Sequence, residues 1–201
     1  MTDETSPPAR FVTFRGAACS LAGTIPKLGA VIPGFRLSRW WDAEWTEVTL
    51  EDALAAGRPM LLSVVQSVDG PVSQLQAKTF DAQLAEFHGA VIAIQVSSDL
   101  PITINRFFRQ EEITRLVGLS DYHDQNFGRA YGVLIEEPRI LTRAVFVADR
   151  KGVLRHAEIL PEITLEPDYE AALAVLRGLV TETSAAVAAD AGDSSEAVSG
   201  G

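Results

Sequence analysis

The chain is poor in the residues that usually build redox and metal centres. It has one cysteine, Cys19, and three histidines among its 201 residues. A single cysteine excludes a disulfide within the chain, and His88, His123 and His156 are scattered without the spacing of metal ligands. We therefore expect no metal site and no other cofactor.

Basic residues and long apolar runs are scarce as well. Seventeen Lys and Arg stand against 27 Asp and Glu, a formal net charge of −10. This balance disfavours nucleic acid or an anionic membrane surface as a partner, because phosphate groups would be repelled. No stretch has the apolar length of a membrane span, and residues 1–10 are acidic and polar rather than signal-like. The sequence predicts a cytoplasmic protein.

The chain does have enough apolar residues, 47% of the total, for the core of one α/β domain. We place that domain at residues 11–183. Residues 1–10 are polar and contain prolines, which predicts a flexible N-terminus. Residues 184–201 are rich in Ala, Ser, Gly and acids, which predicts a disordered tail, although its alanines would allow the last helix to continue for a turn or two.

The stretch Leu61–Phe80 predicts a buried strand, a tight turn and the start of a helix. Leu61–Val65 is short and apolar, and Pro71 suits the first position of a helix. Ser73 then lies in the first helical turn, at the edge of the sheet where α/β proteins keep their active sites. A cysteine at this position would be an activated thiolate. The residues at helical spacing that predict the face packed on the sheet are Val72, Leu75, Phe80, Leu84 and Phe87.

The remaining pattern predicts an N-terminal hairpin, two further strands with a helix between them, a C-terminal hairpin and a closing helix. This order of elements is that of the thioredoxin-like fold. Three tryptophans within six residues either cap the edge of the core or form a contact surface. The predicted elements are Phe11–Leu21 (hairpin), Phe35–Leu37 and Thr46–Leu50 (strands on either side of Trp40, Trp41 and Trp45), Leu50–Ala56 (helix or turn), Ala90–Val96 (strand), Ile102–Glu112 (helix capped by Asp99 or the preceding serines), Val117–Ser120 (strand), Asn126–Tyr131 (helix), Thr142–Ala148 and Val153–Glu158 (hairpin), and a helix from Pro167 to about Thr183.

From Phe14 to Leu176 the chain resembles the thiol peroxidases, the atypical two-cysteine branch of the peroxiredoxins. The resemblance implies a thioredoxin-like (peroxiredoxin) α/β fold with an N-terminal β-hairpin extension and a central mixed sheet flanked by helices. The matching segments are Gly23–Pro26, Ser97–Pro101 with Arg106 and Phe107, Ala130–Ile135, Arg143–Val147, Glu162–Thr164 and Glu166–Leu173.

The resemblance also shows what the chain has lost. The peroxidatic cysteine of the family falls on Ser73, its partner threonine on Gly70, the preceding proline on Gln66 and the resolving cysteine on Phe108. Only the arginine of the constellation, Arg143, matches. Peroxide reduction oxidises sulfur to a sulfenic acid, a step that a serine hydroxyl cannot perform. We therefore expect a pseudoenzyme that has lost thiol-dependent peroxide reduction.

Three alternatives remain open for what the protein does instead. Arg143, Ser73, Gly70 and Gln66 could form a pocket for a small oxyanion or carboxylate, or Arg143 could merely satisfy backbone carbonyls and acidic neighbours. The chain could act by interaction, as a homodimer of the kind the family forms or as a heterodimer with an active relative. Finally, it could be an active peroxidase that uses Cys19 or an external thiol. By resemblance Cys19 lies on the N-terminal hairpin, away from the site.

Overall fold

The computed structural model describes residues 10–196, and side chains through residue 183. The elements form two sheets flanked by helices. The strands are β1 (Arg10–Phe14), β2 (Ala17–Ala22), β3 (Arg36–Trp41), β4 (Glu44–Thr49), β5 (Met60–Val64), β6 (Ile92–Ser97), β7 (Val117–Ser120), β8 (Leu134–Ile135), β9 (Ile140–Leu141), β10 (Ala144–Ala148) and β11 (Leu154–Ile159). The helices are α1 (Leu50–Leu54), α2 (Pro71–Gln83), α3 (Pro101–Gln110), α4 (Asn126–Ala130) and α5 (Tyr169–Glu196), and a 3-10 turn, Leu84–Phe87, continues α2.

The central sheet is mixed and has the strand order β11-β10-β5-β6-β7-β3-β4. β5, β6 and β7 run parallel, whereas β10, β11, β3 and β4 pair antiparallel. Alternate residues of β5 enter two different apolar clusters: Met60, Leu62 and Val64 join one, while Leu61 joins the cluster formed with α2, α3 and α5. The sheet is therefore buried on both faces, as the apolar strands predict. The expected thioredoxin-like fold is confirmed.

The N-terminal hairpin folds over one end of this sheet as part of the smaller sheet β1-β2-β8-β9. Arg15 and Gly16 both have positive φ angles, 51° and 81°, which gives the tight turn predicted between the two strands. The Thr13 hydroxyl donates to the Glu162 carboxylate at 2.8 Å. This bond makes the largest contribution among the hydrogen bonds that lower the pKa of Glu162 to about 2. Glu162 thus fastens the hairpin to the segment that follows β11.

The inward face of α2 differs from the sequence prediction. Val72 is only half-buried and Leu75 is 46% exposed, whereas Ser73 and Gln76 are buried together with Ala77 and Phe80. The helix is rotated relative to its apolar pattern. The physical reason is that the two polar side chains bind partners beneath the helix, so that burying them costs no hydrogen bond. The C-terminal part of the predicted face, Phe80, Leu84 and Phe87, is buried as expected.

The tryptophans lie in strands rather than in a segment between strands. β3 and β4 extend through them as a hairpin in which Trp40 is paired with Trp45. Asp42 and Ala43 form its turn, with positive φ angles of 49° and 62°. The cross-strand aromatic pair stabilises the extension of both strands, an effect that short-range apolar counting misses.

One further prediction, the cap of α3, was wrong. α3 begins after Leu100 without a side-chain cap, because the Asp99 carboxylate instead accepts hydrogen bonds from the Val68 amide and the Ser67 hydroxyl, each at 2.8 Å. α5 continues to Glu196, in agreement with the high helix propensity of its alanines, and the disordered tail at residues 184–201 stays a prediction. The predicted flexible N-terminus lies, apart from Arg10, outside the described residues.

Candidate functional site

Ser73 lies where the sequence places it, in the first turn of α2 at the carboxyl edge of β5. Gly70 is the N-cap residue, and no side chain caps the helix. A Cβ atom added at Gly70 would lie 3.3 Å from the Ser73 hydroxyl, so a side chain at this position would contact Ser73 directly. The absence of such a side chain leaves the first turn of the helix open on this side.

Arg143 is buried beneath this turn, with 1% of its surface exposed. Its Nε donates to the Ile163 carbonyl at 3.0 Å, Nη1 to the Gln76 side-chain oxygen, and Nη2 to the Gln66 side-chain oxygen at 2.8 Å. Nη2 also lies 3.5 Å from the Ser73 hydroxyl oxygen. Burial lowers the pKa of Arg143 to about 10, against the opposing effect of Tyr169 and Glu166.

The partners of this guanidinium are all neutral. No carboxylate in the described part of the chain lies within ion-pair distance of Arg143. A buried cation without a counter-charge depends on hydrogen bonds for its stability, and here amide and carbonyl oxygens supply them. Arg143 therefore acts as a hub that joins the start of α2, the end of β5 and the segment after β11.

Gln66 occupies the point where Arg143 and Ser73 converge. Its Oε1 accepts from Nη2 of Arg143 and, at 3.4 Å, from the Ser73 hydroxyl. Its Nε2 is buried without a hydrogen-bond partner. An oxygen atom of an anion bound at this point could accept hydrogen bonds from Arg143 and Ser73, but the Gln66 Oε1 already accepts both.

Sequence reasoning missed Gln76, the second amide in this set. Gln76 accepts from Arg143 and donates from Nε2 to the Ser63 hydroxyl at 2.8 Å, a fully buried bond. A signal was present, because Gln76 follows Ser73 by three residues and so shares its helix face. The apolar pattern of the helix instead predicts the neighbouring face, which contains Val72 and Leu75.

A cavity of about 430 Å³ opens beside Ser73. Side chains of the N-terminal hairpin, the β8–β9 region and the start of α2 line it, together with Gln66 and Arg143. Cys19 also lines this cavity. The expectation that Cys19 lies away from the site was therefore wrong: the hairpin and the start of α2 line one cavity, a long-range arrangement that local sequence cannot show.

Phe108 does not line this cavity. It lies on α3, 8% exposed, and packs in the apolar cluster that includes Ile104 and Phe107. A Cβ atom added at Gly118 would lie 3.2 Å from its ring, so α3 approaches β7 closely at this point. The resolving position has thus become part of the core.

The chemistry available at the site is that of binding rather than of nucleophilic attack. The Ser73 hydroxyl faces an amide oxygen, which is not a base, and none of the three histidines lines the cavity. A serine hydroxyl without an adjacent base is a weak nucleophile. In the described part of the chain, no three His, Cys, Asp or Glu side chains are grouped closely enough to hold a metal ion.

The fold, together with the Arg143 side chain that lies beneath the start of α2, defines the chain as a thioredoxin-like protein of peroxiredoxin type. The model of the Redoxin family matches residues 27–173. The chain is 36% identical to the thiol peroxidase of Listeria innocua over 162 residues, 81% of this chain and 94% of that protein. It is equally similar to the thiol peroxidase of Staphylococcus aureus strain MRSA252 over 168 residues, 84% of this chain and 98% of that protein.

Solved structures agree with this assignment. A peroxiredoxin-like protein from Aquifex aeolicus superposes with a TM-score of 0.75 at 30% identity, covering 85% of this chain and 98% of its own. A thiol peroxidase from Chromobacterium violaceum, at 22% identity, has the same fold with a TM-score of 0.74 over 84% of this chain and 95% of its own. The chain belongs to the Redoxin family and, within it, to the family of the thiol peroxidases. No helix among the described residues is long and apolar enough to cross a membrane.

Proposed function

We propose that this protein is a thiol peroxidase relative that has lost thiol-dependent peroxide reduction and is retained in the cytoplasm as a non-catalytic binding or interaction protein. The observation that carries the proposal is the hydrogen bonding of both Ser73 and Arg143 to the side-chain oxygen of Gln66. The position of the attacking sulfur holds a hydroxyl, and the arginine that would meet a peroxide oxygen donates to an amide oxygen instead.

A loss at one position would be reversible, but several linked positions have changed together. Gly70 offers no hydroxyl beside Ser73, and Phe108 is packed in the core where a resolving thiol would be needed. The apolar cavity and the buried cation remain. These features support binding of a small carboxylate or oxyanion, provided that the ligand displaces the Gln66 side chain from Arg143.

The test is peroxide consumption by the purified protein, with dithiothreitol and with thioredoxin as reductants. The Listeria innocua relative serves as the positive control, assayed at the same concentration. We expect no turnover above the protein-free background. Sustained turnover that depends on the protein would refute the proposal.

One alternative retains a specific observation in its favour. Cys19 lines the same cavity as Ser73, so an active peroxidase that uses this thiol has a place for its substrate. Against it, the Cys19 thiol lies on a strand rather than in the first turn of a helix, and it donates to the Ala17 carbonyl at 3.7 Å. The Cys19→Ser variant in the same assay decides the matter, because turnover that disappears in the variant would assign the reaction to Cys19.

The interaction form of the proposal is tested separately. Light scattering on the purified protein gives its oligomeric state, and co-purification with a tagged active relative tests for a heterodimer. We expect a homodimer by analogy with the family. A monomer that captures no relative would leave ligand binding as the retained role.

A further inference from the structure

A second cleft, of about 700 Å³, lies between α3 and the β3–β4 hairpin and shares no residue with the cavity beside Ser73. It adjoins a shallower recess of about 650 Å³, and both are lined by Trp40, Trp41, Asn105 and Arg109. The main cleft lies within the range of small-molecule sites, and its apolar lining with a few polar groups is typical of them.

The inner wall of the cleft is apolar and closely packed. Ile104 and Phe108 from α3 meet Leu116, which directly precedes β7, and Gly118 within β7. Because Phe108 lies in contact distance of the position a Gly118 Cβ would occupy, helix and strand approach too closely to shift easily. Phe108 thus supplies a fixed aromatic surface where the family resemblance places a reactive thiol.

Two tryptophans of the hairpin, Trp40 and Trp41, line the cleft, and Trp45 does not. Trp40 contacts Trp45 edge to face, with ring centroids 5.2 Å apart, and Trp41 is 57% exposed. Tryptophan presents a large flat apolar surface at a low cost in conformational entropy, which is why it is enriched in binding sites. A flat apolar group has aromatic surfaces to contact on both sides of the cleft.

Two arginines give the cleft its polarity. The Arg39 guanidinium stacks 4.6 Å from the centre of the Trp41 ring, and Arg109 is exposed on α3. Neither makes an ion pair or a hydrogen bond within residues 10–183, although Glu112 lines the main cleft and Asp42 the recess. Stacking on a ring leaves the N–H groups at the edge of a guanidinium free to bind a carboxylate in a bidentate manner.

We propose that this cleft binds a small planar aromatic carboxylate. The ring lies between the tryptophans and Phe108, and the carboxylate accepts from Arg39 and Arg109. This site is separate from the pocket at Arg143 and does not depend on the loss of peroxidase activity.

The three tryptophans of the chain are Trp40, Trp41 and Trp45, so intrinsic tryptophan fluorescence reports on this hairpin alone. The probe is 2-naphthoate, titrated by calorimetry and by tryptophan quenching, with 2-naphthylmethylamine as its charge-reversed control. We expect saturable binding of the carboxylate and at least tenfold weaker binding of the amine. Equal binding of both, or of neither, overturns the proposal.

Two variants locate the site. Arg39→Gln and Arg109→Gln should each weaken 2-naphthoate roughly tenfold, the loss expected for one hydrogen bond to a charged group. The matched control is Arg36→Gln, which changes an arginine on the same strand that does not line the cleft. An unchanged affinity in both cleft variants, or an equal loss in Arg36→Gln, overturns the assignment, as does quenching that arises only with self-association in light scattering at the same concentrations.

Discussion

Arginines line both the cavity beside Ser73 and the cleft beside α3, but they differ in whether their donors have hydrogen-bond partners. Arg143 is buried, and its donors meet the oxygens of Gln66, Gln76 and Ile163, whereas Arg39 and Arg109 line an open cleft without an ion pair or hydrogen bond in the described part of the chain. The same side chain therefore has a structural role in one place and is available for recognition in the other. The difference lies in the hydrogen-bond partners, because burying a guanidinium without partners costs free energy of folding, whereas an exposed guanidinium can bind water.

The largest expected effect tests whether Arg143 is a structural hub. Arg143→Met leaves the buried side-chain oxygen of Gln76 without its Arg143 donor and leaves that of Gln66 with only the 3.4 Å bond from the Ser73 hydroxyl. We therefore expect a loss of about 3 kcal/mol in the free energy of unfolding. Urea denaturation measures it. The matched control, Arg109→Met, changes an exposed side chain and should stay within about 0.5 kcal/mol of the parent. Similar losses in the two variants would show that Arg143 contributes no more to stability than the exposed Arg109.

The next prediction frees Arg143 without removing it. Gln66→Ala takes away the amide oxygen at Nη2, and we expect a loss of about 1 to 2 kcal/mol in the free energy of unfolding. It should also create measurable affinity for acetate in calorimetry, because the carboxylate can take the vacated position.

Gln66→Glu is the matched control for that experiment. Its carboxylate fills the same position with a counter-charge for Arg143, so it should bind no acetate. Acetate affinity that is equal in the two variants would show that Gln66 does not close the site. This outcome would remove the proposed anion pocket and would leave the loss of peroxidase activity untouched.

A buried charge of the opposite sign sharpens the comparison. Asp121 is 1% exposed, and its carboxylate accepts from the backbone amides of Phe127 and Gly128 at 3.1 and 2.8 Å. Burial raises its pKa from 3.8 to about 6, and these hydrogen bonds oppose the shift only in part. A raised pKa means that the folded chain binds the proton more tightly than the unfolded chain, so this contribution to stability is lost as the pH rises through about 6.

Between pH 7 and pH 5 the parent should gain about 1 kcal/mol relative to Asp121→Asn in the free energy of unfolding. Taking the difference between the two proteins removes the opposite effect of His156, whose pKa is lowered by burial. Urea denaturation at the two pH values provides the measurement. Parallel pH profiles for both proteins would mean that Asp121 does not titrate in this range.

The elements of the fold were largely predictable, because each follows from a local pattern. The hairpin around Arg15 and Gly16, the buried strand before Ser73 and the apolar strand before Ser97 all appear within a few residues of their predicted bounds. Where the prediction failed, pairing between particular side chains decided the structure. The rotation of α2 depends on Arg143, and the extension of β3 depends on the pairing of Trp40 with Trp45.

The site was only half predictable for the same reason. Resemblance located Ser73, Gln66 and Arg143, but no pattern indicates that one amide oxygen bonds to both of the others. The position of Cys19 in the cavity depends on the path of the whole N-terminal hairpin. Hydrogen-bond partners and cavity walls are set by tertiary packing, which short-range patterns do not encode.

We expect only a small change in the free energy of unfolding, within about 1 kcal/mol, for Ser73→Cys, which replaces one oxygen by sulfur at a buried position. In a Cys19→Ser background it leaves one thiol at the start of α2. The helix dipole favours the thiolate there, but Nη2 of Arg143 lies 3.5 Å from the Ser73 oxygen and donates to Gln66. We therefore expect slow oxidation of this thiol by peroxide, measured by loss of titratable thiol.

Adding Gln66→Ala to this variant returns the Arg143 donor to the sulfur and should accelerate the oxidation. Equal rates with and without Gln66 would mean that the amide oxygen does not withhold Arg143 from this position.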